Sequence, residues 1–157
     1  SEDYDAVACY MVRDDMFSTM DEHDIEGAMA MAADELKTFA APIPTVSLWV
    51  DEVQIKAGEL GGITAFLFFR DAAAAHAAAD HACKFAAFNR ITFNVRNNGA
   101  RGPGLNSLPY EAIVELSASN IPTLVAAMDV DNRRQLQACD LTIITREAVL
   151  WDRLPAP

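Results

Sequence analysis

The side chains best suited to acid–base or binding chemistry fall between residues 66 and 146. His81 comes first, because an imidazole titrates near neutral pH and can give or take a proton. A capping or surface histidine near a helix end is the plain alternative. Glu115 comes second, inside the apolar run Tyr110-Glu111-Ala112-Ile113-Val114-Glu115-Leu116. Alternation along a strand puts Ala112, Val114 and Leu116 on one face and Glu111, Ile113 and Glu115 on the other. A carboxylate held in a core needs a partner or a ligand, since an unpaired buried charge is costly. Arg96 and Asn94 are the expected partners, on the polar face of Arg90–Arg96, which alternates sharply with Ile91, Phe93 and Val95 on one face and Arg90, Thr92, Asn94 and Arg96 on the other. Thr92, Asn94, Arg96, Glu115 and Arg146 could line a cavity walled by Phe66, Phe68 and Tyr110. A mostly apolar pocket with a few converging polar groups suits a small molecule. An Arg–Glu pair bridging strands in a dimer interface would use the same residues equally well.

Other arrangements of reactive residue types are weaker. His76 and His81 are five positions apart, about 140° around a helix, which is a poor geometry for a shared metal. Glu22-His23-Asp24 resembles a ligand cluster but lies at a helix start, where the dipole favours acidic residues anyway. Gly102-Pro103-Gly104 does not join a strand to a helix, so a phosphate cradle is not expected, and no nucleophile elbow, P-loop or dinucleotide fingerprint is present. Cys9, Cys83 and Cys139 are three in number and lack C-x-x-C spacing, which points to reduced, mostly buried thiols rather than disulfides or a zinc cluster. Neither a metal nor another cofactor is expected.

Strands and helices must position these groups. Tyr4–Val12 is a short apolar run read as a buried strand. Ile25, Met29, Ala32, Leu36 and Phe39 recur at helical spacing, with Ser18, Thr19 or Asp21 as caps, until Pro42 and Pro44 end the helix. Alternation from Thr45 towards Ile55 predicts a second strand. Ile63–Phe69 is apolar on both faces, so both must be covered. An alanine-rich helix is expected from Asp71 to about Phe88. The strand Arg90–Arg96 follows, then a Gly/Pro loop, then the strand Tyr110–Leu116. A helix capped by Ser119 or Asn120 runs from Pro122 towards Gln137, and a closing strand spans Leu141–Trp151. The order is βαβ, βαβ, βαβ.

A chain of 157 residues with 52% hydrophobic and 22% charged residues is an ordinary folded polypeptide of about one domain, neither disordered nor fibrous. Its net charge of -11 repels phosphate backbones and anionic lipid, so neither nucleic acid nor membrane partners are expected. No apolar run reaches the roughly 18 residues of a membrane span, and no signal-peptide pattern opens the sequence, so a cytoplasmic location is expected.

Tyr4-Asp5-Ala6-Val7-Ala8 aligns with Tyr110-Glu111-Ala112-Ile113-Val114, and Leu48-Trp49 with Leu150-Trp151, which suggests that 4–51 and 110–152 are equivalent βαβ halves. In that alignment Cys9 takes the place of Glu115. Two βαβ halves on one sheet make a ferredoxin-like domain, and the middle half could join either neighbour. The double-sided apolar strand Ile63–Phe69 then predicts a dimer or an intrachain pseudo-dimer.

The middle and last units resemble the EthD-like family of the dimeric α+β barrel superfamily. The resemblance rests on Asp80-His81-Ala82 before Asn89-Arg90-Ile91-Thr92-Phe93-Asn94, on the Gly/Pro loop followed by Tyr110-Glu111-Ala112-Ile113-Val114-Glu115-Leu116, and on the ending Glu147-Ala148-Val149-Leu150-Trp151. It departs from the family in its alanine-rich helix ahead of the histidine, and in an extra first half without its own partner. The resemblance implies an α+β fold of three ferredoxin-like βαβ units, an antiparallel sheet with helices on one face, and a dimeric α+β barrel. It divides the chain into an N-terminal half repeat at 1–57 and an EthD-type domain at 58–157. It also implies a homodimer and a cofactor-free lyase, decarboxylase or cyclase acting on an aromatic or polyketide-like compound. His81 would then be the general acid or base, with Glu115 beside it. A non-catalytic module that binds a small apolar ligand or serves assembly is the alternative.

Overall fold

The computed structural model describes residues 7–9, 25–27, 29–30, 33–34, 37, 47–59, 62–99, 108–129, 136 and 138–147. Five strands, β1 (Val50–Lys56), β2 (Ile63–Phe69), β3 (Arg90–Arg96), β4 (Ala112–Ala118) and β5 (Leu141–Arg146), form one antiparallel sheet in the order β1-β3-β4-β2-β5. Helix α1 (Ala72–Ala82) joins β2 to β3, and helix α2 (Ile121–Asp129) follows β4 on the way to β5. This is an α+β fold. Each helix-linked pair of strands encloses one strand of the other pair, so the middle unit of the sequence interleaves with the last one. β1 is hydrogen-bonded to the outer edge of β3, which carries the sheet across the 57/58 boundary.

Side-chain alternation sorts the sheet into two faces. Ile63, Ala65, Leu67 and Phe69 of β2, Ile91 of β3, and Ala112, Val114, Leu116 and Ala118 of β4 form one core with Ala75, Ala78, Ala79 and Ala82 of α1 and Leu124 of α2. Both helices therefore cover the same face. The alanine stripe of α1 carries no bulk, which lets the helix backbone lie close to the strands. Asp71 starts α1 by accepting the Ala73 amide proton at 2.9 Å. The helix stops at Ala82, short of the expected Phe88, because the chain must turn inward to bury Phe88 completely.

All seven residues of β2 are buried, so its second face is covered as well. On that side Phe66, Phe68 and Tyr110 form a second cluster, against which Val7, Leu48, Leu108, Ile113, Leu141 and Ile143 pack. The cover that the apolar β2 demands is thus present within one chain, and burial of β2 needs no second copy.

Several boundaries move. Val7–Cys9, the described part of the expected strand 4–12, is not strand; Val7 is half-buried by side-chain packing on the Phe66–Phe68–Tyr110 cluster instead. The second strand begins at Val50 rather than near Thr45, where pairing with Arg96 starts. β4 spans 112–118 rather than 110–116, since Ser117 and Ala118 pair with Thr64 and Ile63 while Tyr110 turns into the aromatic cluster. The described residues between 25 and 37 are helical, as their spacing predicts. The expected caps at 18–21, Pro42, Pro44, most of the loop 97–109 and the end of the closing strand, 148–151, lie outside the described residues. Among the described residues no helix is long and apolar enough to cross a membrane.

Candidate functional site

The face of the sheet away from α1 and α2 carries the polar groups. Strand register lines them up in rows: Gln54, Thr92, Glu115, Phe66 and Ile143 form one, and Glu52, Asn94, Ile113, Phe68 and Leu141 the next. The β1 and β3 side of this face is polar, the β2 and β5 side is apolar, and Glu115 stands at the border directly beside Phe66. The rings of Phe68 and Tyr110 meet at 5.1 Å and close the apolar side.

Asn94 Nδ2 donates to Glu115 Oε1 at 2.8 Å. Arg90 Nη2 donates to Glu147 Oε1 at 2.8 Å and lies 3.9 Å from Glu115 Oε2. These three charged side chains are only 10%, 14% and 21% exposed for Arg90, Glu115 and Glu147. One guanidinium therefore serves two carboxylates in a poorly solvated place. Burial lifts the Glu115 carboxyl above its ordinary value; the Asn94 hydrogen bond and Arg90 oppose the rise, while Glu52 and Glu147 add to it. Arg90 Nε and Asn89 Oδ1 are buried and have no hydrogen-bond partner among the described residues. Thr64 and Ser117 complete the row beside Arg90 with a hydroxyl–hydroxyl bond of 2.8 Å.

Residue 9, exposed in the chain, is within electrostatic range of the same cluster. Partial burial and then the nearby Glu115, Glu52 and Glu147 push the Cys9 thiol up to about 11, with Arg90 opposing. A thiol held this high is protonated at neutral pH and a poor nucleophile.

Of the residues singled out from sequence, Thr92, Asn94, Arg96, Glu115, Tyr110, Phe66 and Phe68 share this face. Within it Arg96 does not pair with Glu115. It sits two rows further along β3 and donates from Nη1 to Glu111 Oε1 and the Tyr110 carbonyl, both at 3.1 Å, and from Nη2 to the Leu108 carbonyl at 3.1 Å. Arg96 thereby ties down the approach to β4. The structure also separates His81 from Glu115. His81 belongs to the last turn of α1, on the opposite side of the sheet, where its ring meets Phe85 edge-on at 5.2 Å. Arg146 pairs in register with Ile63, a residue of the helix-facing row. With Gly62, Ile63 and Ser119–Pro122 it lines an open groove of about 390 Å³ at the start of α2, apart from the Glu115 cluster.

Sequence reasoning missed Arg90 and Glu147 as members of the cluster. Parity would have found both: Arg90 shares the face of Thr92 and Asn94, and Glu147 shares the face of Leu141 and Ile143. Among the described residues no group of three or more His, Cys, Asp or Glu side chains could hold a metal ion. No family model, curated protein or solved structure matches the chain.

Proposed function

We propose that this chain is a small-ligand-binding module whose site is the border between the Arg90–Glu115–Asn94 cluster and the Phe66–Phe68–Tyr110 wall. One observation carries it: a carboxyl lifted by burial stands directly beside Phe66 and 3.9 Å from a buried guanidinium whose Nε has no acceptor among the described residues. Buried polar groups are otherwise satisfied, and an unmet donor next to a perturbed acid is what a ligand completes. The ligand class that suits this border is a small aromatic or apolar compound with a polar group that accepts from Arg90 and donates to Glu115. The EthD-like resemblance and its ferredoxin-like units support this reading at the level of architecture.

A second reading, cofactor-free lyase or cyclase chemistry, is favoured by the same lifted acid. Glu115, not His81, would then hold the transferable proton, because only Glu115 faces the aromatic wall.

The test is an amide-resolved NMR titration of the full chain with phenols, aryl ketones, arylamines and arylcarboxylates. The expected result is saturable shifts at Phe66, Thr92, Asn94 and Glu115 that weaken at least tenfold in Glu115→Gln. Shifts confined to the α1 side around His81, or none on the face away from α1 and α2, would overturn the proposal.

A further inference from the structure

The face away from α1 and α2 raises a question of its own, since these two helices cover one side of the sheet and leave the other to be covered. Here Phe66, Phe68 and Tyr110 are 7%, 5% and 6% exposed in one chain. Val7 and Leu48, both outside the five strands, pack on that cluster. Residue 9, two positions on from Val7, feels Glu115, Glu52, Glu147 and Arg90, which belong to the polar side of the same face. Val7 to Cys9 therefore runs from the aromatic wall to the carboxylate cluster. The segment carrying Leu48 is pinned at its edge: the Leu108 amide donates to the Ser47 carbonyl at 3.3 Å and the Asn97 amide to the Trp49 carbonyl at 2.8 Å.

We infer that the face away from α1 and α2 is an interface made in cis, in which residues 7–9 and Leu48 of the same chain occupy surface a second sheet would otherwise take. Three features agree on this. The cover contributes apolar side chains where the face is apolar, and residue 9 where the face is polar. It meets the border proposed as the ligand site, through Val7 at the aromatic wall and through residue 9 within electrostatic range of Glu115. Among the described residues no exposed aromatic cluster is left on this side for a second copy to bury, which favours a monomer through this face. The inference stands whether or not a ligand binds there.

A spin label on Cys9, an exposed residue, attached at alkaline pH where its raised thiol ionises, tests it in the full chain with Cys83→Ser and Cys139→Ser. In ¹⁵N-labelled protein carrying the label, amides of Phe66, Phe68, Ile113 and Glu115 should lose most of their intensity, several-fold more than those of α1. In an equimolar mixture of spin-labelled unenriched chains and unlabelled ¹⁵N chains, the same amides should keep theirs. Broadening in the mixed sample would overturn the inference by showing that the cover comes from another copy. Absence of broadening in both samples would overturn it by showing that residue 9 does not lie on the face. Neither outcome depends on the ligand titration, so the two proposals fail separately.

Discussion

Glu115 is a carboxyl that folding drives towards its protonated form, and the consequence for stability has a definite sign. Its pKa is raised in the folded state, chiefly by burial. Between the ordinary carboxylate value and the raised one, the folded chain retains a proton that the unfolded chain has released, so stability falls as pH rises through that window. Below the ordinary value the contribution is fully present; above the raised value it is gone. Glu115→Gln removes the titration while keeping an oxygen to accept from Asn94. Urea midpoints measured across this range should therefore fall less steeply with pH for the variant than for the parent chain. Identical pH slopes would show that Glu115 is solvated like a surface carboxyl. Arg90 and Asn94 were visible beforehand as polar positions of an alternating strand, because period-two patterning is a local property. That Arg90 is shared with Glu147, 57 residues away, was not, because no local rule pairs them.

At the scale of elements, α1 shows how propensity and packing divide the work. Its alanines make a helix by default, yet where it begins and ends is set by single residues. Asp71 adopts extended backbone, φ -118° and ψ 111°, and its carboxylate takes the Ala73 amide. Asp71→Ala should cost about 1 kcal/mol of stability, the usual worth of such a cap, read as a lower denaturant midpoint with an unchanged slope. No change would mean that the first turn of α1 is held by packing alone. The end of α1 was not legible, since nothing in the alanine run stops a helix and only the burial of Phe88 against the sheet does so. The same holds for β4: its alternation was plain from sequence and assigned the correct face to each of Ala112–Leu116. Its shift by two residues came from pairing with β2.

For the whole molecule, the net charge of -11 sets a long-range term that no single contact reveals. Self-repulsion among surface carboxylates works against the compact state. Raising ionic strength from very low salt to about 0.15 M, where the screening length is about 8 Å, should raise the thermal midpoint. A fall would show that the ion pairs Arg90–Glu147, Arg96–Glu111 and Arg70–Asp140 outweigh the repulsion. By itself the sequence determined the types of the elements between β1 and β5 though not of residues 7–9, the two faces of β2, β3 and β4, and the demand that β2 be covered on both sides, because patterning and propensity act between near neighbours. Only the tertiary structure decided the strand order that interleaves the middle and last units, and the side of the sheet on which the helices lie. Those choices put His81 and Arg146 away from Glu115, and brought Val7 and Leu48 over the face that a second copy was expected to fill. They depend on contacts between residues far apart in the chain, where spacing along the sequence carries no information about distance in space.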